Sequence, residues 1–211
     1  MKLLIVAPKS NLNTFSEILD ATGPGETRVL HGTVTVREVM TEIRTGQFTH
    51  IYFAGHGDDQ SLMFSDGLLN KALLADSIQA AGAIILVLFN SCQSLGPALA
   101  AYGAGVHYVI GWQGNVSDSA AINYAYAFWA TYRLSNDVHV AHRTGREAVI
   151  FGNPGHETPD LINGRNSGYQ QRVESLQVQV SRQRQWLFVL MVTTVASLVI
   201  ETITLFLMWG T

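Results

Sequence analysis

Six consecutive residues, Ile84-Ile85-Leu86-Val87-Leu88-Phe89, carry no polar side chain. A strand with one solvated face alternates polar and apolar residues, so a short unbroken run between Gly82 and Asn90 predicts a central strand covered on both faces. Short apolar runs recur at residues 2–7, 27–30, 50–54 and 106–110. Amphipathic segments lie near 13–21, 36–44, 70–81, 94–102 and 117–133. This β-α-β-α order predicts an α/β domain over residues 1–151, with a doubly wound, mostly parallel sheet and helices on both faces. Function in such sheets gathers at the carboxyl ends of the strands.

Two of those ends carry chemistry. Gly55-His56-Gly57 closes one predicted strand, and Asn90-Ser91-Cys92 closes another, with the sole cysteine of the chain 36 residues after the histidine. An imidazole beside a thiol can take its proton and leave a nucleophilic thiolate. The competing reading makes Cys92 a small buried hydrophobe. Gly57 lacks a Cβ, so its N–H can approach a substrate oxygen and, with the Cys92 N–H, form an oxyanion hole; turn geometry alone also explains the two glycines. An irregular hairpin over residues 60–70, turning at Ser65-Asp66-Gly67, follows the histidine and is placed to rim a cleft. Asp118 begins a segment whose Ala121, Tyr124, Ala125, Phe128, Trp129 and Tyr132 form an apolar stripe, and reads first as a carboxylate at a helix N-terminus.

Charge and composition exclude several classes. With 13 basic against 16 acidic residues and a net charge of −3, the chain has no concentrated basic face for nucleic acid. A single cysteine rules out an internal disulfide framework and fits a reducing compartment. His31, His50, His107, His139, His142 and His156 lack metal-site spacing, and no glycine-rich phosphate loop is present, so neither a metal nor a cofactor is expected. The first eight residues carry one charge and an apolar run too short for a secretory signal, which leaves them as the first strand.

At 47% apolar and 14% charged residues, the chain holds more apolar surface than one core needs. Much of the surplus lies in residues 187–209, 23 residues with one ionisable group, Glu201. At about 1.5 Å per residue such a run spans a hydrocarbon layer about 30 Å thick, so a transmembrane helix is expected over 186–209. Trp186 and Trp209 bracket it, and Arg182 and Arg184 precede it, which orients residues 1–185 to the cytoplasm and the C-terminus across the bilayer. Glu201 reads as a helix-helix membrane contact or as a tolerated, protonated carboxyl. The Gly-, Pro- and Asn-rich stretch 152–167 reads as a linker, and 168–185 as a juxtamembrane helix with heptad-like Val173, Leu176 and Val180, a seam for homo-oligomers.

The stretches IYFAGHGDD, SLMFSDGLL, ILVLFNSCQS and VHYVIGWQGNVSDSAAINYAYAFWATY, in that order over residues 49–150, resemble the caspase-like domain called CHAT, of the clan of caspases, metacaspases, gingipains and separase. The resemblance implies a cysteine endopeptidase with His56 as base and Cys92 as nucleophile, acting on a protein or peptide substrate. It further implies a role for Asp118 in the pocket for the residue before the cut, favouring Arg or Lys, with Trp112 lining the cleft and Asn90 adding a neutral hydrogen bond. Many members have Ser-Ala-Cys or Asp-x-Cys where this chain has Asn90-Ser91-Cys92. A membrane anchor and the lack of a sensor domain point to activation by a protein partner or by clustering, in a setting such as bacterial defence or cell death. A caspase-like scaffold whose membrane helix assembles or permeabilises is the alternative, and a non-proteolytic thiol hydrolase a third reading.

Overall fold

The run Leu86–Asn90 forms the strand the sequence places at the centre, with all five residues buried. In the computed structural model, which describes residues 1–8, 19–21 and 25–163, it is one of eight strands. In chain order the elements are β1 (Lys2–Pro8), β2 (Glu26–Gly32), α1 (Val36–Thr45), β3 (His50–Ala54), β4 (Ser61–Phe64), β5 (Gly67–Asn70), α2 (Lys71–Ala81), β6 (Leu86–Asn90), α3 (Leu95–Gly103), β7 (Tyr108–Gly111), α4 (Asp118–Ser135), α5 (Val138–Gly152) and β8 (Asp160–Asn163). Six strands pair in the order β2-β1-β3-β6-β7-β8, and β4 with β5 makes the expected hairpin.

Period-2 alternation divides the central strands between two covered faces. Leu3, Ile5, Tyr52, Leu86 and Leu88 join one core cluster with Tyr124, Phe128 and Trp129 of α4 and Ala141 and Val149 of α5. The alternate set, Leu4, Val6, Ile51, Phe53, Val87 and Phe89, is also buried. On that side α3 packs on β6 and β7, and α1, α2 and α3 pack in series. The helices begin where side chains satisfy free N–H groups: Thr35 Oγ1 accepts from Glu38 N at 3.2 Å, Asn70 Oδ1 from Leu73 N at 2.9 Å, and Ser117 Oγ from Ala120 N at 3.3 Å.

Three expectations are corrected. The sheet is mixed, because β8 runs antiparallel to β7 along Tyr108↔Asn163 to Gly111↔Asp160. That edge strand lies in the stretch read as a linker, whose Leu161 and Ile162 cover core. The element α5 went unpredicted because Gly145 interrupts it; a Cβ there would lie 2.7 Å from the Tyr124 ring, so glycine permits the close α4-α5 crossing. Finally, no helix among the described residues is long and apolar enough to cross a membrane, so the fold described is the α/β domain without the transmembrane helix that the expected fold class included. The expected helix at 168–185, the span at 186–209 and Glu201 lie outside the described residues, as does most of the segment 13–21.

Candidate active site

Strands β3 and β6 run parallel in a register that ends at Ala54↔Asn90. His56 and Cys92 each follow two residues after that last pair, past the carboxyl edge of the sheet. Past Asn90 the chain turns sharply into α3. Gln93 takes a left-handed conformation at φ 49°, unusual for a residue with a Cβ, and its N–H donates to Gly114 O at 2.9 Å. Leu95 N donates to Trp112 O at 3.1 Å, tying the same turn to the loop after β7. The turn leaves Cys92 partly exposed, so it is no core hydrophobe. Its Sγ accepts from Val116 N at 3.5 Å and donates to Val116 O at 3.6 Å, weak bonds that hold the thiol against the entry to α4.

The histidine loop is set by backbone contacts. Met63 N donates to His56 O at 2.9 Å and Asp58 N to Ser61 O at 2.9 Å, flanking the Gly57↔Leu62 bridge, so the Gly57 N–H points away from the hairpin. A Cβ on Gly57 would stand 2.8 Å from Ser61 O, and one on Gly96 would overlap the Asp59 carbonyl. Asp58 Oδ1 accepts from Gln60 N and Ser61 N at 2.8 Å and from Ser61 Oγ at 3.0 Å. Those bonds, the one from Gln60 N foremost, hold its carboxyl below the usual range. His56 is exposed at the mouth. The N–H groups of Gly57 and Cys92 make no hydrogen bond among the described residues, which leaves both free for a ligand oxygen.

Two residues expected to line the substrate cleft do not. Asn90 is buried at 6% exposure and Trp112 at 1%. Asn90 Nδ2 donates to Tyr52 OH at 3.0 Å and to Ala121 O at 2.8 Å, while its Oδ1 accepts from Trp112 Nε1 at 2.9 Å. The amide therefore spends its bonding capacity tying β6 to β3, the loop after β7 and α4. Asn90→Ala strands three buried partners at once, and a stability loss of roughly 3 kcal/mol is expected in urea unfolding. A loss below about 1 kcal/mol would show that these bonds are readily replaced by water.

Asp118 is exposed as the first residue of α4, and the cap is Ser117 rather than the carboxylate. It lies two positions after Val116, on the side of the thiol. No motif marks Glu157, whose carboxylate reaches Gly114, where a Cβ would lie 2.5 Å from Oε2. Nor does one mark Ser91, 2% exposed, whose Oγ has no hydrogen-bond partner. No group of three or more His, Cys, Asp or Glu among the described residues could hold a metal.

No family model matches the sequence, and no curated protein matches it. A solved structure described as "Structure of Protease" superposes with a TM-score of 0.56 over 76% of this chain, at 12% identity. The match covers 46% of that chain, so this one spans about half its length. At this identity the likeness is one of fold alone.

Proposed function

We propose that the chain is a cysteine endopeptidase of the caspase-like CHAT type, with His56 and Cys92 as a catalytic dyad and a protein or peptide as substrate. The observation that carries this reading is the register of β3 and β6: both residues follow two positions past Ala54↔Asn90, at the carboxyl ends of adjacent parallel strands. The likeness of the fold to a solved protease supports it. The imidazole takes the Sγ proton, and the thiolate attacks the scissile carbonyl carbon, forming the S–C bond as the carbonyl π pair moves onto oxygen. The resulting oxyanion accepts from the Gly57 and Cys92 N–H groups. As the tetrahedral intermediate collapses, the C–N bond breaks and His56 passes its proton to the leaving amine. Water, deprotonated by His56, then hydrolyses the thioester and restores the thiol.

Asp118 follows two positions after Val116, which the thiol contacts, and a carboxylate there would favour Arg or Lys before the cut. Because Asp118 is exposed, its pairing with a cation is screened. Asp118→Ala should therefore lower kcat/KM on Arg substrates about two- to fivefold and change uncharged ones little. An equal loss on both would remove it from the pocket. The reading as a whole is tested by incubating the 211-residue chain with a peptide library and reading products by mass spectrometry. Cleavage clustered at basic residues supports it, and a library left intact counts against it.

A further inference from the structure

The strand ladder alone does not fix where His56 stands relative to Cys92, because both lie past its last pair, Ala54↔Asn90. The loops that carry them are tied to each other directly. A Cβ on Gly57 would lie 3.4 Å from Ser91 Oγ, so the backbone just after the histidine runs past the residue just before the cysteine. Farther along both loops, Asp59 meets Gly96, the second residue of α3.

The contact at Gly96 is the tighter of the two. A Cβ there would overlap the Asp59 carbonyl oxygen and lie 2.6 Å from Asp59 Oδ1 and 2.9 Å from the Asp59 carbonyl carbon. Backbone atoms cannot swing aside as the end of a long side chain can, so a methyl group would force the histidine loop and the helix apart by about 1 Å or more. Gly96 is buried in the helix and is not among the glycines with positive φ, so the close approach, not conformational freedom, requires glycine. The loop side is held as firmly. Asp58 Oδ1 accepts from Gln60 N, Ser61 N and Ser61 Oγ, which closes the turn that carries the Asp59 carbonyl.

Resting on the peptidase reading, we propose that Gly96 and Asp58 are positioning residues of the dyad: Asp58 holds the turn after the histidine in one shape, and Gly96 gives that turn its berth on α3, which sets the imidazole at its working separation from the thiol. Neither residue bears a reacting atom. A misplacement of about 1 Å at a reacting pair costs about 100-fold in rate. Because substrate binding is unaffected, the loss belongs in kcat rather than in KM.

The experiment uses the full chain and two readouts. Hydrolysis of an Arg-coumarin amide gives kcat and KM. Alkylation by iodoacetamide at pH 7 reports the thiol, with His56→Ala defining the part of the rate that the imidazole supplies. Gly96→Ala should lower kcat about 100-fold and Asp58→Ala about tenfold, with KM within about threefold of wild type, and both should lose the His56-dependent part of the alkylation rate. Asp58→Asn keeps the accepting Oδ1 and should stay within about twofold of wild type in both readouts. Gly145→Ala, whose Cβ would crowd the Tyr124 ring, should lower the melting temperature and leave kcat and alkylation unchanged, which separates positioning from loss of stability. Should Gly96→Ala fail to fold, the Asp58 pair decides. Wild-type kcat and alkylation in Asp58→Ala and Gly96→Ala, or equal losses in Asp58→Ala and Asp58→Asn, would overturn the positioning role, and Cys92-dependent cleavage by the wild type would leave the peptidase reading standing. If the wild type cuts nothing, the peptidase reading falls and alkylation still decides the positioning, which is overturned if the wild-type rate is indifferent to His56.

Discussion

Cys92→Ala and His56→Ala should each lower peptide cleavage by about 10⁴-fold or more, with no residual dependence on the other residue. Members of a catalytic unit act together, so once the thiol is gone the imidazole has no proton to take, and the double variant should be no slower than either single one. Stability should change by less than about 1 kcal/mol, since His56 is exposed, Cys92 is partly exposed and neither side chain fills the core. Iodoacetamide should modify Cys92 in the folded protein, because a nucleophile must be reachable. Cleavage that survives unchanged in Cys92→Ala, or a thiol that reacts only after unfolding, would end the dyad assignment.

The placement of His56 and Cys92 was legible because the signal is local to strand ends. An apolar run closed by Gly-His-Gly and another closed by Asn-Ser-Cys place both groups at the same sheet edge as soon as the two strands are neighbours, and β3 and β6 are. The roles of Asn90 and Trp112 were not legible. Their residue types suit a substrate cleft, and only the tertiary arrangement shows that the Asn90 amide is consumed by Tyr52, Trp112 and Ala121. Ser91 escaped notice for the converse reason. One serine before a cysteine carries no pattern, and only the fold shows that it is buried, at 2% exposure.

Element type followed the periodicity, whereas topology at the edge did not. Residues 160–163 read as loop because Gly, Pro and Asn dominate the preceding stretch, yet Leu161 and Ile162 cap the far edge of the sheet. A four-residue strand contributes too little pattern to outweigh its flanks. Helix α5 was hidden by Gly145, which costs helix propensity and repays it through the close approach to Tyr124.

Acid should destabilise this domain as the pH falls from about 6.5 toward about 4. His50 and His142 are 4% and 9% exposed. His50 Nδ1 lies 2.8 Å from Thr49 Oγ1 and its Nε2 2.8 Å from Tyr132 OH, while His142 Nδ1 lies 2.7 Å from Tyr124 OH. Thr49 Oγ1 donates to Lys2 O, so it accepts from His50 Nδ1–H, and Tyr132 OH donates to Nε2. That arrangement satisfies both nitrogens of the neutral ring. Burial, with the amino terminus adding to it, lowers the His50 pKa to about 4, and burial, with Arg146 and His139 adding to it, lowers that of His142 to about 4. The unfolded chain takes up these protons below about pH 6.5, whereas the folded one does not until about pH 4, so stability falls as pH drops through that window. At pH 4.5 the loss is about 2.5 kcal/mol for each histidine relative to neutral pH. Together they remove about 5 kcal/mol, comparable to the whole stability of many domains. Asp58 and Asp137, whose pKa values are depressed below 3.8, add their losses only at lower pH and so separate from this effect. Urea unfolding at pH 7 and pH 4.5 measures the difference, and His50→Gln and His142→Gln should each remove about half of it. A free energy of unfolding that is flat across that interval, or a pH dependence untouched by both substitutions, would mean that the two rings are protonated without cost inside the fold.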